Sequence, residues 1–350
     1  ATSSTDSGYA TVDRFRVQHT GTDEAPTQSQ ADVASGTTPY TNGFRKCLKI
    51  TNGNQTSGAG ADDYIRILHF IEAQDMAQSG WNYTSSSSYV TLSFWVKSSV
   101  AQNFYGFLLT QDGTNYSYPF ETGSLSADTW TKITKTIPGN SNLQFDNDAN
   151  QGTEINISPF MGTNFTDSGV SLNAWVAYAS GTRAPNYTST WYTTNDATLE
   201  FTGFQLEVGP EATAFEHRSF AEELRLCQRY YYQNTSYGTV AQTNSGETIN
   251  TAGFSGITIY SETNVRSPFI YHPVMKRATP TTTFYSASNA AGGAANLLSI
   301  YSSGTNWDNV ASNTTNASSF HVGFKITTND NFTAGYTYLM GGQFSCDAEI

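Results

Sequence analysis

The chain has 350 residues and a net charge of −12, with 17 Lys and Arg against 29 Asp and Glu. This excess of acid excludes a nucleic-acid partner, which needs clustered Lys and Arg, and an anionic membrane surface, and it suits an uncharged ligand. Charged residues make up only 13% and aromatics 14%, against about 25% charged in an average globular protein, so the chain buries ample apolar surface and is not disordered.

The length favours two domains. The three cysteines, Cys47, Cys227 and Cys346, are far apart and odd in number. That spacing fits neither a disulfide framework nor a zinc site, and it fits assembly in a reducing cytoplasm. No apolar run is long enough to span a bilayer, so membrane insertion is not expected.

Taken in chain order, the elements are mostly strands. In "YVTLSFWVKSS", Val90, Leu92, Phe94 and Val96 share one face and Thr91, Ser93, Trp95 and Lys97 the other. Alternation of this kind marks half-buried strands. "EFTGFQLEVG" alternates Phe204, Leu206 and Val208 with Gln205 and Glu207, and "FHVGFKIT" places Phe320, Val322, Phe324 and Ile326 on one side. The turn-rich stretches "TNGNQTSGAGADD", "DNDANQGTE" and "SASNAAGGAAN" separate the runs. Many short strands with loops between them predict antiparallel β-sandwiches.

One helix is predicted, over 219–232. Ser219 followed by Glu222 is a capping-box pattern, and Phe220, Leu224, Cys227 and Tyr231 fall on one helical face. That face requires an apolar partner, either the chain's own sandwich or another subunit. The expected organisation is an all-β chain: a jelly-roll sandwich over 1–217, a linking helix over 218–233 and a smaller β-sandwich over 234–350.

Three kinds of candidate site follow. Sugars stack on aromatic rings beside hydrogen-bonding side chains. The aromatics set among polar residues are Trp81 and Tyr83 in "SGWNYTSS", Trp95 on its polar strand face, and Tyr187, Trp191 and Tyr192 in "NYTSTWYTTND"; the competing reading of each is a core side chain. Asp146, Asp148 and Asn150 in "DNDANQG" have the spacing of a calcium loop, although the glycine is one position late and the twelfth position is not acidic; a plain polar turn competes, and no cofactor other than a structural Ca²⁺ is expected. Glycoside hydrolysis needs two facing carboxylates, and Glu72, Glu121, Glu200 and Glu207 form no such motif. With no nucleophile or P-loop motif present, the chain reads as a non-enzyme.

The string "TGFQLEVGPEATAFEHRSFAEELRLCQRYY", from Thr202 to Tyr231, together with "DRFRV" (Asp13 to Val17), "TLSFWVKSS" (Thr91 to Ser99), "HPVMKRATPT" (His272 to Thr281) and "FSCDAEI" (Phe344 to Ile350), resembles virion structural proteins of tailed bacteriophages, many from marine phages. The resemblance implies a first domain similar to a carbohydrate-binding-module jelly roll and a tail-fibre or appendage location on the virion, with assembly in a bacterial cytoplasm. It also implies a homotrimer, contacts to other virion proteins, and adsorption to a host surface polysaccharide. A capsid decoration role is the alternative, and a depolymerase a third reading. The resemblance further implies that Ala1 lies inside a longer polypeptide.

Overall fold

The structure is a computed structural model that describes residues 3–235, 253–261, 264–285, 297–302, 306–327 and 337–350. The predicted turn at 286–296 lies outside the described residues, as do the side chains of Phe324 and Ile326. The chain divides into two compact units, Ala1–His217 and Arg218–Ile350.

The first unit contains β1 (Ser3–Ser4), β2 (Phe15–Thr20), β3 (Thr27–Asp32), α1 (Thr38–Thr41), β4 (Lys46–Thr51), β5 (Tyr64–Glu72), α2 (Ala73–Ala77), β6 (Tyr89–Ser98), β7 (Asn103–Thr110), β8 (Tyr116–Ser124), β9 (Thr131–Pro138), β10 (Gln151–Met161), β11 (Val176–Ala177), α3 (Thr190–Thr193) and β12 (Thr198–Val208). Two six-stranded antiparallel sheets form a jelly-roll sandwich. Sheet A has the order β1-β3-β4-β12-β6-β9, and sheet B the order β11-β8-β7-β10-β5-β2.

The core lies between the sheets, as the alternation demands. From β6, Val90, Leu92, Phe94 and Val96 are 2% exposed or less. They meet Ile65 and Ile67 of β5, Phe104 and Leu108 of β7, and Ile155 and Ile157 of β10. Full burial of each such side chain stabilises by about 1.5–3 kcal/mol. His69 of β5 also points inward, with its ring 5.1 Å from Phe15 and Nδ1 2.9 Å from the Arg14 carbonyl. Desolvation, helped by the Arg14 charge, pushes its pKa down to about 4.

The other face of β6 is buried too, which alternation does not predict. Thr91 is 0% and Ser93 3% exposed because the chain after β12 turns back across sheet A. Thr91 Oγ1 donates to the Gly209 carbonyl at 2.8 Å, and Thr136 Oγ1 donates to the Pro210 carbonyl at 2.9 Å. Glu207 accepts from the Thr213 amide and hydroxyl at 2.9 and 2.6 Å, and Gln205 Oε1 accepts from the Glu216 amide at 2.9 Å. Phe215 then packs edge-on against Phe44 at 4.8 Å. The "QLEVGPEATAFEH" string is therefore a strand followed by its own strap: the apolar positions Phe204 and Leu206 pack on the core, and the polar positions Gln205 and Glu207 hold the strap down. Val208 is an exception to that expectation, being 48% exposed. Gly203 has φ +64° where β12 shifts register against β6, and a Cβ there would stand 2.6 Å from the Phe44 ring.

The second unit opens with α4 (Phe220–Gln228), followed by β13 (Tyr231–Gln233), β14 (Gly253–Ser261), β15 (Asn264–Arg266), β16 (Ile270–Tyr271), β17 (Thr281–Tyr285), β18 (Leu297–Ser302), β19 (Asn306–Ala317), β20 (His321–Thr327), β21 (Thr337–Gly341) and β22 (Gln343–Asp347). One sheet is β13-β22-β17. The other is β15-β14-β21-β18-β19-β20-β16, and a further pairing of β15 with β20 closes it on itself.

Ser219 caps α4, its Oγ accepting from the Glu222 amide at 3.3 Å, but the helix ends before the tyrosines. Tyr231 lies in β13 and pairs with Asp347, so the expected four-residue helical face is corrected to Phe220, Leu224 and Cys227. Consecutive tyrosines favour a strand once a partner strand is present. No residue of α4 is buried, and Phe220 is 60% exposed.

Behind α4, Lys276 is 1% exposed. Its ammonium donates to the carbonyls of Gln228 at 2.9 Å and Cys346 at 3.4 Å. Desolvation outweighs the nearby acidic groups and pushes its pKa down to about 8.

Candidate functional site

Three of the six aromatics expected at a ligand are buried core residues. Trp191 and Tyr192 are 0% exposed and Trp81 is 3% exposed. The short α3 tucks Trp191 and Tyr192 into the end of the sandwich: the Trp191 indole donates to the Thr198 carbonyl at 3.0 Å, and Tyr192 stacks on Phe160 at 4.3 Å. Trp81 donates to the Ser88 carbonyl at 3.2 Å, and half-buried Tyr83 lies edge-on to Phe145 at 4.9 Å. These positions are corrected from ligand contacts to packing. Their polar neighbours in sequence point outward while the large rings take the apolar side, and sequence alone does not order loops in that way.

Trp95 does face outward, from sheet A. It belongs to a small aromatic cluster with Phe44, Val33, Cys47, Trp130 and Phe215 beneath the strap. Beside it Glu200 pairs with Lys97 at 3.0 Å and accepts from the Cys47 thiol at 3.7 Å. Burial, reinforced by Glu200, pushes that thiol up to about 12, so Cys47 stays protonated and inert.

The calcium candidates lie in a hydrogen-bonded polar turn. Asp148 accepts from the Asn150 amide and side chain at 2.9 and 2.6 Å. Asp146 accepts from Gln144 at 3.1 Å and donates its amide to Asp112 at 3.0 Å. These side chains are spent on closing a polar turn. Among the described residues no three His, Cys, Asp or Glu side chains converge to hold a metal.

The carboxylates weighed for hydrolysis are separated. Glu200 and Glu207 lie on sheet A and are bound to Lys97 and Thr213. Glu121 lies on sheet B and accepts from Asn103 at 2.7 Å. Glu72, 0% exposed, accepts from Gln74 at 2.6 Å.

The outer face of sheet B holds the arrangement with most chemistry. In "TEINIS" of β10, Ile155 and Ile157 point into the core, and Glu154, Asn156 and Ser158 lie on the opposite side of the sheet, where they are themselves buried at 6%, 0% and 0% exposure. The register sets Glu154, Asn156 and Ser158 opposite Leu109, Phe107 and Tyr105 of β7. The three polar residues form a ladder: Ser158 Oγ donates to Asn156 Oδ1 at 2.7 Å, and Asn156 Nδ2 donates to Glu154 Oε1 at 3.0 Å. From β5, Arg66 Nη2 donates to the same oxygen at 2.7 Å. The pair retains 12% and 8% of its side-chain exposure. Arg66 Nε is buried and has no hydrogen-bond partner.

The segment between β10 and α3 closes one end of this face. Its Phe165, Tyr178 and Tyr187 pack with Tyr64 over Phe107, Leu109 and Met161. Tyr187 lies edge-on to Tyr105 at 5.1 Å and donates to the Tyr105 carbonyl at 3.2 Å. Desolvation holds its phenol well above the ordinary tyrosine range. Sequence reasoning singled out Tyr187 alone here and missed Tyr105, Arg66, Glu154, Asn156 and Ser158. The signal was the polar residue at every second position of "TEINIS".

A separate apolar cavity of about 220 Å³ opens where β12 parts from β4, lined by Val12, Phe15, Leu48, Phe201 and Phe204.

No protein-family model matches the chain, and no curated protein matches it. Similar solved structures include the enzymatically active domain of tailspike protein 4 of bacteriophage CBA120, at 10% identity and TM-score 0.32, covering 56% of this chain and 19% of that one. They also include the N-terminal cellulose-binding domain of Cellulomonas fimi β-1,4-glucanase C, at 11% identity and TM-score 0.28, covering 61% and 97%. A third is the tandem CBM22 domain pair of Paenibacillus barcinonensis Xyn10C, at 10% identity and TM-score 0.27, covering 95% and 93%. At these scores the likeness carries no weight for function. Among the described residues no helix is long and apolar enough to cross a membrane.

Proposed function

We propose that this protein binds a glycan through the outer face of sheet B, and that it does so as a tail-fibre or appendage component of a tailed-phage virion, adsorbing to a host surface polysaccharide. The observation that carries the glycan reading is the set of half-buried rings of Tyr64, Tyr105, Tyr178 and Tyr187 on this face, held over the buried Arg66–Glu154–Asn156–Ser158 ladder. A buried ion pair is weak support for stability, because desolvating both charges offsets their attraction. Half-exposed tyrosine rings with polar tips suit stacking on a sugar's C–H face, and the buried polar row beneath them fixes the strands that carry Tyr64 and Tyr105.

The virion location, trimeric assembly and absence of catalysis are part of the same proposal. They rest on the phage-like strings, chiefly "TGFQLEVGPEATAFEHRSFAEELRLCQRYY", and on carboxylates that are engaged separately by Lys97, Thr213, Asn103 and Gln74. The test is retention of the intact protein on a broad array of bacterial surface glycans, with Tyr105→Ala and Tyr178→Ala alongside. Retention by the wild type and at least ten-fold weaker retention by Tyr105→Ala is the expected result, on the order of one lost ring contact or hydrogen bond to the ligand. Retention on no glycan, or equal retention by both folded variants, overturns the reading.

A further inference from the structure

The apolar cavity of about 220 Å³ in the first unit opens where β12 leaves its partner strand. Phe201 is the last residue of β12 to pair with β4, opposite Leu48. Just beyond, β12 shifts register against β6 between Thr202 and Gln205. Thr202 Oγ1 donates to the Lys46 carbonyl at 2.8 Å, so a side chain spans the gap that a backbone pair would close. Val12 and Phe15 supply the rest of the apolar wall.

A packed interior leaves few voids larger than a water molecule. A cavity of about 150 Å³ lined by Leu, Ile and Phe stays dry and holds benzene. The space here is larger, and its wall carries the rings of Phe15, Phe201 and Phe204. Phe15 meets Phe204 edge-on at 5.4 Å, and Phe204 stacks on Phe94 at 4.9 Å. Such contacts between rings add to what area burial alone gives, so a further ring suits this wall better than an aliphatic group.

The polar side chains of the lining narrow the ligand further. The Lys46 ammonium lies 2.6 Å from Asp32, so its charge is matched without a ligand. An ionised group among carbon walls pays a desolvation cost that nothing there offsets. Exposed Gln30 of β3, opposite Leu48, has no side-chain hydrogen bond among the described residues. Its amide is open to a ligand oxygen.

We propose that this cavity binds a small uncharged aromatic alcohol, with the ring beside Phe15 and Phe204 and the hydroxyl on Gln30. Its lining shares no residue with the tyrosine-bearing outer face of sheet B, so it stands whether or not that face binds a glycan.

The intact protein is titrated with benzyl alcohol, toluene, cyclohexylmethanol and benzoate, and binding is read by calorimetry. Benzyl alcohol is expected to saturate with a Kd of about 1 mM or below. Cyclohexylmethanol should bind about three- to ten-fold more weakly, and benzoate more than about ten-fold more weakly. Gln30→Ala should weaken benzyl alcohol about three- to ten-fold, as for one neutral hydrogen bond, and leave toluene unchanged. Val12→Phe, which fills the space from its wall, should abolish binding while its thermal melt stays cooperative. Nuclear Overhauser contacts from the ligand ring to the methyls of Val12 and Leu48 locate the ligand in the wild type without any substitution. No saturable binding of benzyl alcohol or toluene, contacts to other methyls only, or equal binding by folded Val12→Phe overturns the site. Benzoate or cyclohexylmethanol binding as tightly as benzyl alcohol overturns the assigned ligand class.

Discussion

The two outer faces of the sandwich are made from equally regular alternating strands, yet they end in different chemistry. On sheet A the polar positions Thr91, Thr136, Gln205 and Glu207 are occupied by the chain's own strap, and the aromatic residues Trp95 and Trp130 join Phe44 and Phe215 beneath it. On sheet B the polar positions Glu154, Asn156 and Ser158 are buried and bond to one another and to Arg66, beside the half-buried rings of Tyr64, Tyr105, Tyr178 and Tyr187. Each face keeps a buried donor without a hydrogen-bond partner, Trp130 Nε1 on sheet A and Arg66 Nε on sheet B, so the faces differ in what covers them: the chain's own strap on sheet A and tyrosine rings on sheet B.

Substitutions can break this comparison. The largest effect is expected from Trp191→Ala, which removes a fully buried indole and should cost about 3–5 kcal/mol in chemical denaturation. A small loss there, with loss of glycan retention, would return Trp191 to the ligand site.

Next is Glu154→Gln, which leaves a largely buried guanidinium without its anion. Breaking such a pair costs about 2–3 kcal/mol here, below the fully buried case because some exposure remains. Glu200→Gln on sheet A, whose partner Lys97 is 23% exposed, should cost less. Only the Glu154 variant should alter glycan retention, and a change with Glu200→Gln would move the site to the other face.

Acid sharpens the contrast within sheet B. The folded pKa of His69, about 4, lies below its ordinary 6.5, so its neutral form is the folded one. Its contribution is complete above pH 6.5 and is lost as the pH falls from 6.5 towards 4. His69→Gln should flatten the melting temperature of the first unit across that window. An unchanged slope would show that the imidazole is not the acid-sensitive group.

A smaller effect is expected from Thr213→Ala in the strap, about 1 kcal/mol for the hydrogen bond to Glu207, with faster proteolysis between 209 and 217 and unchanged glycan retention. A pH effect as large as that of His69 is expected at Lys276 in the second unit. Its pKa is lowered to about 8 from 10.5, so the unfolded chain holds the proton more firmly between those values, and this group adds stability as the pH rises through them. Lys276→Met should remove that rise from the pH dependence of the second unit's melting.

Much of the fold was legible in the sequence. The inward rows of β6 and β10 follow from alternation, because period-two apolar residues can be buried only on one side of a sheet. The Ser219 cap followed from its spacing to Glu222. The helix end did not, because Tyr230, Tyr231 and Tyr232 suit a helix face and a strand equally until Asp347 and Cys346 pair alongside. The proposed ligand face was legible only as polar alternation in "TEINIS".

By itself the sequence determined the β class, the two-unit chain length, the inward side of the central strands and the cap of α4. Each depends on residues close together along the chain, where periodicity and capping act. The tertiary structure decided which polar face the strap covers, which aromatics are core and which stay half-exposed. Those outcomes depend on what folds back over each sheet, over separations that no local pattern encodes.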